Sequence, residues 1–135
     1  VEIVSSALLD MAFHERTAAG PVDADALEAE TLARIGMPDE IVLRHASPHF
    51  AHIFAGDGYA AGYYSYLWSE VLDADGFGAF EEAGDPFDPV VADRLYRYVY
   101  SAGGTRDFAE AYRLFRGRDP DPAAMLRQRG LASNA

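Results

Sequence analysis

A chain of 135 residues, half of them hydrophobic, suits one domain with a buried core. Its net charge of -11 and isoelectric point near 4.6 repel phosphates, which argues against nucleic acid and anionic membrane as partners. The absence of cysteine excludes disulfides and thiolate metal sites, and no apolar run approaches the ~18 residues of a membrane span or reads as a signal peptide, so the cytoplasm is the default location.

Val1 opens the sequence, and VEIVSSALLDMAFHE is helix-like with no cap before it. That pattern reads as a chain entered partway through a larger protein, or as a processed or trimmed terminus. Ile3, Val4, Leu8, Leu9, Met11 and Phe13 have helical spacing, and Gly20-Pro21 punctuates the end. The segment DADALEAETLARIGM predicts a second helix, capped by Asp23 or Asp25 and stopped near Gly36. A short helical turn opened by Pro38 is expected next, with a break near Pro48. The glycine-bearing loop AGDG (55–58) leads into a helix from about Ala60 to Asp75, with FGAFEEAG a kinked or separate turn because Gly76 and Gly78 weaken it. Pro89 sits in the first turn of a helix capped by Asp88 and ending at Gly103-Gly104. Thr105 or Asp107 caps DFAEAYRLFRG, and Asp119-Pro120 opens a last helix closed by Gly130. No alternating run supports a strand, so the expectation is a single all-α domain over 1–135.

The densest chemistry lies in HFAHIFAGDGYAAGYYSYLWSEVLDAD. On a helix turning about 100° per residue, Tyr59, Tyr63 and Tyr66 share one side, with Glu70 a turn later. Tyr64, Leu67, Trp68 and Val71 share another and form an apolar anchoring face. A row of phenols offers neutral O–H donors for an oxyanion or a peptide carbonyl, and the glycines before it let backbone approach a ligand or let the loop swing. On spacing alone the stripe is better read as half-buried packing with hydroxyls in water, because aromatic stripes at helical spacing are usually core.

Other candidates carry less. His14-Glu15 begins the zinc-protease pattern H-E-x-x-H, but position 18 is Ala, so the second ligand is missing and a helix-surface His-Glu pair is the reading. His45, His49 and His52 raise a metal cluster, interrupted by Pro48; of the three, His52 is best placed to face a ligand. AGDG and SAGG lack a phosphate-loop lysine, and no G-x-S-x-G elbow is present. Arg113, Arg116, Arg118, Arg127 and Arg129 make the C-terminal segment locally basic and are expected to pair with nearby acids.

Taken together, the tyrosine block, then FEEAGDPFDP, then YSAGGTRDFAEAYRLFRGRDPDPAAMLRQRGL, resemble the C-terminal end of the thimet oligopeptidase-like (M3 family) zinc metallopeptidases, in the peptidyl-dipeptidase and oligopeptidase A branch. SSALLDMAFHE fits the segment before it, so the resemblance covers essentially the whole chain. It implies the multi-helical C-terminal portion of a two-lobed, zincin-type fold around a channel that admits short peptides. In that family zinc is held by an HExxH helix and a downstream glutamate, and the HExxH glutamate activates water. The resemblance makes Tyr66 the donor to the oxyanion and Tyr59 the group that binds or polarises the substrate carbonyl. His52 and Tyr63 contact substrate, and the loop bearing Gly56 and Gly58 is a mobile flap.

This chain carries no HExxH and no zinc ligands of its own; zinc belongs to the complete enzyme. The expected partners are short peptides, reached through the complete enzyme, and the missing zinc-binding part. Alone, the chain is expected to be inactive and to self-associate through uncovered apolar faces. The alternative is a non-catalytic helical module, derived from that family, that binds peptides or another protein.

Overall fold

The computed structural model describes residues 1–132, and all regular structure in them is helical. The chain divides into two compact units, Val1–Leu67 and Trp68–Ala135.

In the first unit, α1 (Glu2–His14) packs against α2 (Ala24–Arg34). Asp23 caps α2 by accepting from the Ala26 N–H at 3.0 Å, which settles the choice between the two candidate aspartates. The segment after α2 departs from expectation. Pro38 opens a turn closed by the Ile41 N–H on the Pro38 carbonyl, but no helix forms before the 3-10 turn Ser47–His49. That stretch instead supplies Leu43 to the core, and Glu28 of α2 holds Ser47 through both its N–H (2.7 Å) and its hydroxyl (2.6 Å). The short α3 (Ala51–Phe54) follows. Leu9, Leu43, Phe50 and Ile53 form the buried core, with Phe13, Leu32 and Tyr63 packed on it.

Residues 59–64 are not α-helical, contrary to the sequence reading. They form consecutive turns in which the Gly62 N–H bonds the Tyr59 carbonyl and the Ser65 N–H bonds the Gly62 carbonyl. The N–H groups of Ala61 and Tyr63 bond to the Asp10 carboxylate. A tertiary acceptor thus satisfies donors that the turns leave without a local partner. The regular helix α4 begins only at Ser65 and runs without interruption to Ala83.

In the second unit, α4 continues straight through Gly76 and Gly78. The helix α6 (Phe108–Arg116) lies against that side: Phe115 and Arg116 come within 3.6 and 3.4 Å of where side chains at 76 and 78 would begin. Packing there outweighs the intrinsic cost of glycine in a helix, about 1 kcal/mol each. Asp88 caps α5 (Pro89–Leu95) by accepting from the N–H groups of Val90 and Val91. The helix widens into a π turn over Tyr96–Tyr100, closed by the Ser101 N–H on the Tyr96 carbonyl. Asp107 caps α6, and Gly117 ends it at φ 79°, the left-handed conformation that favours glycine. The last helix, α7 (Ala123–Gln128), starts after Asp121-Pro122, one dipeptide later than expected, with the Asp121 carboxylate accepting from the Ala123 N–H. Ala79, Val91 and Phe115 centre this unit's core, with Phe80, Leu95, Tyr98 and Val99 around them.

Candidate functional site

The tyrosine turn lies in the first unit, between α3 and the first residues of α4. Although residues 59–64 are not a helix, their turns bring Tyr59, Tyr63 and Tyr66 together. The rings of Tyr59 and Tyr66 stack with centroids 5.6 Å apart and planes 10° apart, and Tyr63 meets Tyr66 edge-on at 5.0 Å. Tyr63 also packs edge-on against buried Phe50 at 4.9 Å, which anchors the group to the core. His52, exposed on α3, stands edge-on to Tyr59 at 6.0 Å and to Tyr63 at 5.9 Å. Four of the residues singled out from the sequence therefore form one contiguous aromatic group. Tyr59 and Tyr66 are 37% and 39% exposed, while Tyr63 is half-buried.

The adjacent Tyr59 hydroxyl, partial burial and nearby Tyr63 raise the Tyr66 phenol above its ordinary pKa. At neutral pH Tyr66 is therefore a neutral O–H donor. A neutral donor set beside a stacked partner can stabilise negative charge developing on a carbonyl oxygen.

Gly56 and Gly58 lie in the exposed loop preceding Tyr59. Neither has a positive φ, and no atom lies within 4 Å of where a side chain would begin at either position. The conformation seen does not itself demand glycine there.

The anchoring face differs from expectation. Val71 is buried, but Tyr64 is exposed and Trp68 is 54% exposed, so neither ring is an anchor within its own unit. Residue 64 lies in the turn before α4 begins, so helical spacing does not govern its direction. His14 does not pair with Glu15; its Nδ1 lies 2.8 Å from the Asp10 Oδ1, one turn back on α1. The ring of His45 stacks on Phe50 and sits 5.2 Å from that of His52. No group of three or more metal-ligating side chains is assembled among the described residues.

Asp10 was not singled out from the sequence. It is fully buried in α1, and its two oxygens accept from the Ala61 N–H at 3.0 Å and the Tyr63 N–H at 2.9 Å. The signal was present: a lone carboxylate inside the apolar run ALLDMAF.

The arginine-rich segment forms ion pairs inside the second unit. Arg113 meets Asp119 at 2.6 Å, Arg116 meets Glu82, Arg118 meets Asp75, and Arg129 meets Glu70. Arg129 holds the Glu70 carboxyl below its usual range despite partial burial. Glu70 is thereby engaged as an ion-pair partner. None of the helices in the described residues is long and apolar enough to cross a membrane.

The likeness to known proteins is extensive. Residues 1–131 match the model of Peptidase family M3. Oligopeptidase A of Haemophilus influenzae is 49% identical over 86 residues, which are 63% of this chain and 12% of that protein. Dipeptidyl carboxypeptidase of Escherichia coli K12 is 41% identical over 133 residues, 96% of this chain and 19% of that protein. Saccharolysin of Saccharomyces cerevisiae is 37% identical over 82 residues, 61% of this chain and 11% of that protein. The chain thus spans less than a fifth of the length of these relatives. With a family match running from residue 1 to residue 131, this chain belongs to peptidase family M3.

Proposed function

We propose that this chain supplies the substrate-binding and oxyanion-stabilising tyrosine wall of a zinc-dependent oligopeptidase or peptidyl-dipeptidase that hydrolyses short peptides in the cytoplasm, as the C-terminal part of its catalytic region. The observation that carries the reading is the clustering of Tyr59, Tyr63 and Tyr66, with His52 beside them, in a family of peptidases. In this reading the Tyr66 O–H donates to the oxyanion that forms when the scissile carbonyl is attacked. The Tyr59 O–H binds the carbonyl before attack. Tyr63 and His52 line the substrate next to it, and the loop carrying Gly56 and Gly58 closes over the bound peptide. In this reading another part of the complete protein supplies the zinc ligands; among the described residues no group of three or more metal-ligating side chains is assembled.

Replacing Tyr66 with Phe removes the donor and keeps the ring. In the complete protein this is expected to lower kcat on the order of 100-fold or more while KM changes little. Tyr59→Phe is expected to be milder and to raise KM. An unchanged kcat in Tyr66→Phe would remove the proposed role. The 135-residue chain alone is expected to release no dipeptide, and chelator-sensitive hydrolysis by it would contradict that. Exposed Val42, Phe87, Val90, Tyr96 and Tyr100 favour self-association of the chain alone; a monomeric sedimentation profile at high concentration speaks against it. The competing role, a non-catalytic peptide-binding module, predicts instead that the complete protein binds peptides without cleaving them.

A further inference from the structure

We infer that Asp10 is the positioning residue of the phenol cluster: from inside α1 it holds the turn whose geometry sets where Tyr59 and Tyr63 stand relative to Tyr66. Ala61 has φ 54°, the left-handed region that an alanine adopts only at a cost, and it is the single non-glycine with positive φ among the described residues. Such a conformation persists when its surroundings over-determine it. Here the surroundings are the two Asp10 oxygens. One takes the N–H of Ala61 itself and the other takes the N–H two residues on, so both ends of the strained peptide segment are fixed. The Gly62 N–H on the Tyr59 carbonyl closes the same turn at 2.9 Å. Tyr59 lies two residues before Ala61 and Tyr63 two after it. If Ala61 relaxed to negative φ, the Tyr59–Tyr66 stack at 5.6 Å and the Tyr63–Tyr66 contact at 5.0 Å would not both survive. The carboxylate is wholly buried, and its remaining close neighbour is His14 Nδ1. A buried carboxylate with both oxygens committed to backbone N–H groups 51 and 53 residues away is a tether with a defined target. Its catalytic consequence rests on the peptidase reading above; its effect on ring geometry does not.

The test uses Asp10→Asn in the full chain, which keeps shape and one acceptor but turns an amide NH2 toward one of the two N–H groups. Ring-proton NMR resonances of Tyr59, Tyr63 and Tyr66, assigned with single Tyr→Phe variants, report their mutual stacking. The expected result is that these resonances collapse toward free-tyrosine positions while far-ultraviolet circular dichroism keeps its helical amplitude. Adding Ala61→Gly, which removes the left-handed penalty, is expected to restore part of the lost shifts. Retained wild-type ring shifts in a folded Asp10→Asn chain overturn the inference. Should Asp10→Asn unfold, Ala61→Val decides, since a β-branched residue resists positive φ: displaced rings with helix content kept support the inference, and any other outcome overturns it. In the complete protein, Asp10→Asn is expected to raise KM, as Tyr59→Phe does, and to lower kcat/KM by about tenfold or more. Displaced rings with undiminished kcat/KM would count against the peptidase role of the tyrosines and leave the positioning role standing.

Discussion

Each unit buries one aspartate, and the two are put to different uses. Asp10 in the first unit accepts from backbone N–H groups and leaves the nearby phenols partly exposed. Asp75 in the second accepts from the Tyr112 hydroxyl at 2.6 Å and from Arg118, with Arg116 3.6 Å away. There the tyrosine is only 4% exposed and its hydroxyl is consumed by the carboxylate. A tyrosine whose hydroxyl closes an internal network is part of the frame. Tyr59 and Tyr66, by contrast, are partly exposed, and Asp10 holds the turn beside them through backbone N–H groups.

The comparison can be broken from the second unit first. Asp75→Ala leaves Arg116, Arg118 and the Tyr112 hydroxyl without their common acceptor. Arg118 is 42% exposed and finds water, and Arg116 keeps Glu82, so the expected loss falls at the lower end for a broken buried pair, about 3 kcal/mol by chemical denaturation. Burial pushes the Asp75 carboxyl up, but the Tyr112 hydroxyl and the guanidinium groups of Arg118 and Arg116 outweigh it and hold the carboxyl below its usual range. Because the folded pKa is the lower one, the unfolded chain takes up the proton first. The contribution of Asp75 is full above its unfolded pKa of roughly 3.9 and is lost as pH falls through the depressed folded value. Thermal melts below about pH 4 should therefore fall less steeply in Asp75→Asn than in the wild type.

Tyr112→Phe comes next. It removes one hydrogen bond to a charged acceptor and should cost about 2 kcal/mol. Gly56→Ala and Gly58→Ala should have the smallest effect, within about 0.5 kcal/mol, because both positions have open space and ordinary φ. A large loss of stability at either glycine would place the loop in the frame rather than at its edge.

Much of this was legible from the chain itself. Caps at Asp23, Asp88 and Asp107 follow from local chemistry, because the carboxylate and the N–H it accepts from lie within three residues. The grouping of Tyr59, Tyr63 and Tyr66 was anticipated, but through helical spacing that the structure does not use at Tyr59 and Tyr63. What could not be read was non-local. The bonds from Asp10 to residues 61 and 63 hold turns where the spacing predicts a helix. α4 runs unbroken through two glycines that local propensity penalises, at the positions that Phe115 and Arg116 approach. The exposure of Trp68 likewise reflects packing, not spacing.

The most direct test sets Tyr66→Phe beside Tyr112→Phe in the complete protein, measuring peptide hydrolysis and thermal midpoint for each. Tyr66→Phe should lose kcat on the order of 100-fold with its midpoint unchanged, and Tyr112→Phe should lose stability with kcat retained below its midpoint. Equal losses of activity in the two variants, or full activity in Tyr66→Phe, would contradict the assignment of the exposed tyrosines to the chemistry.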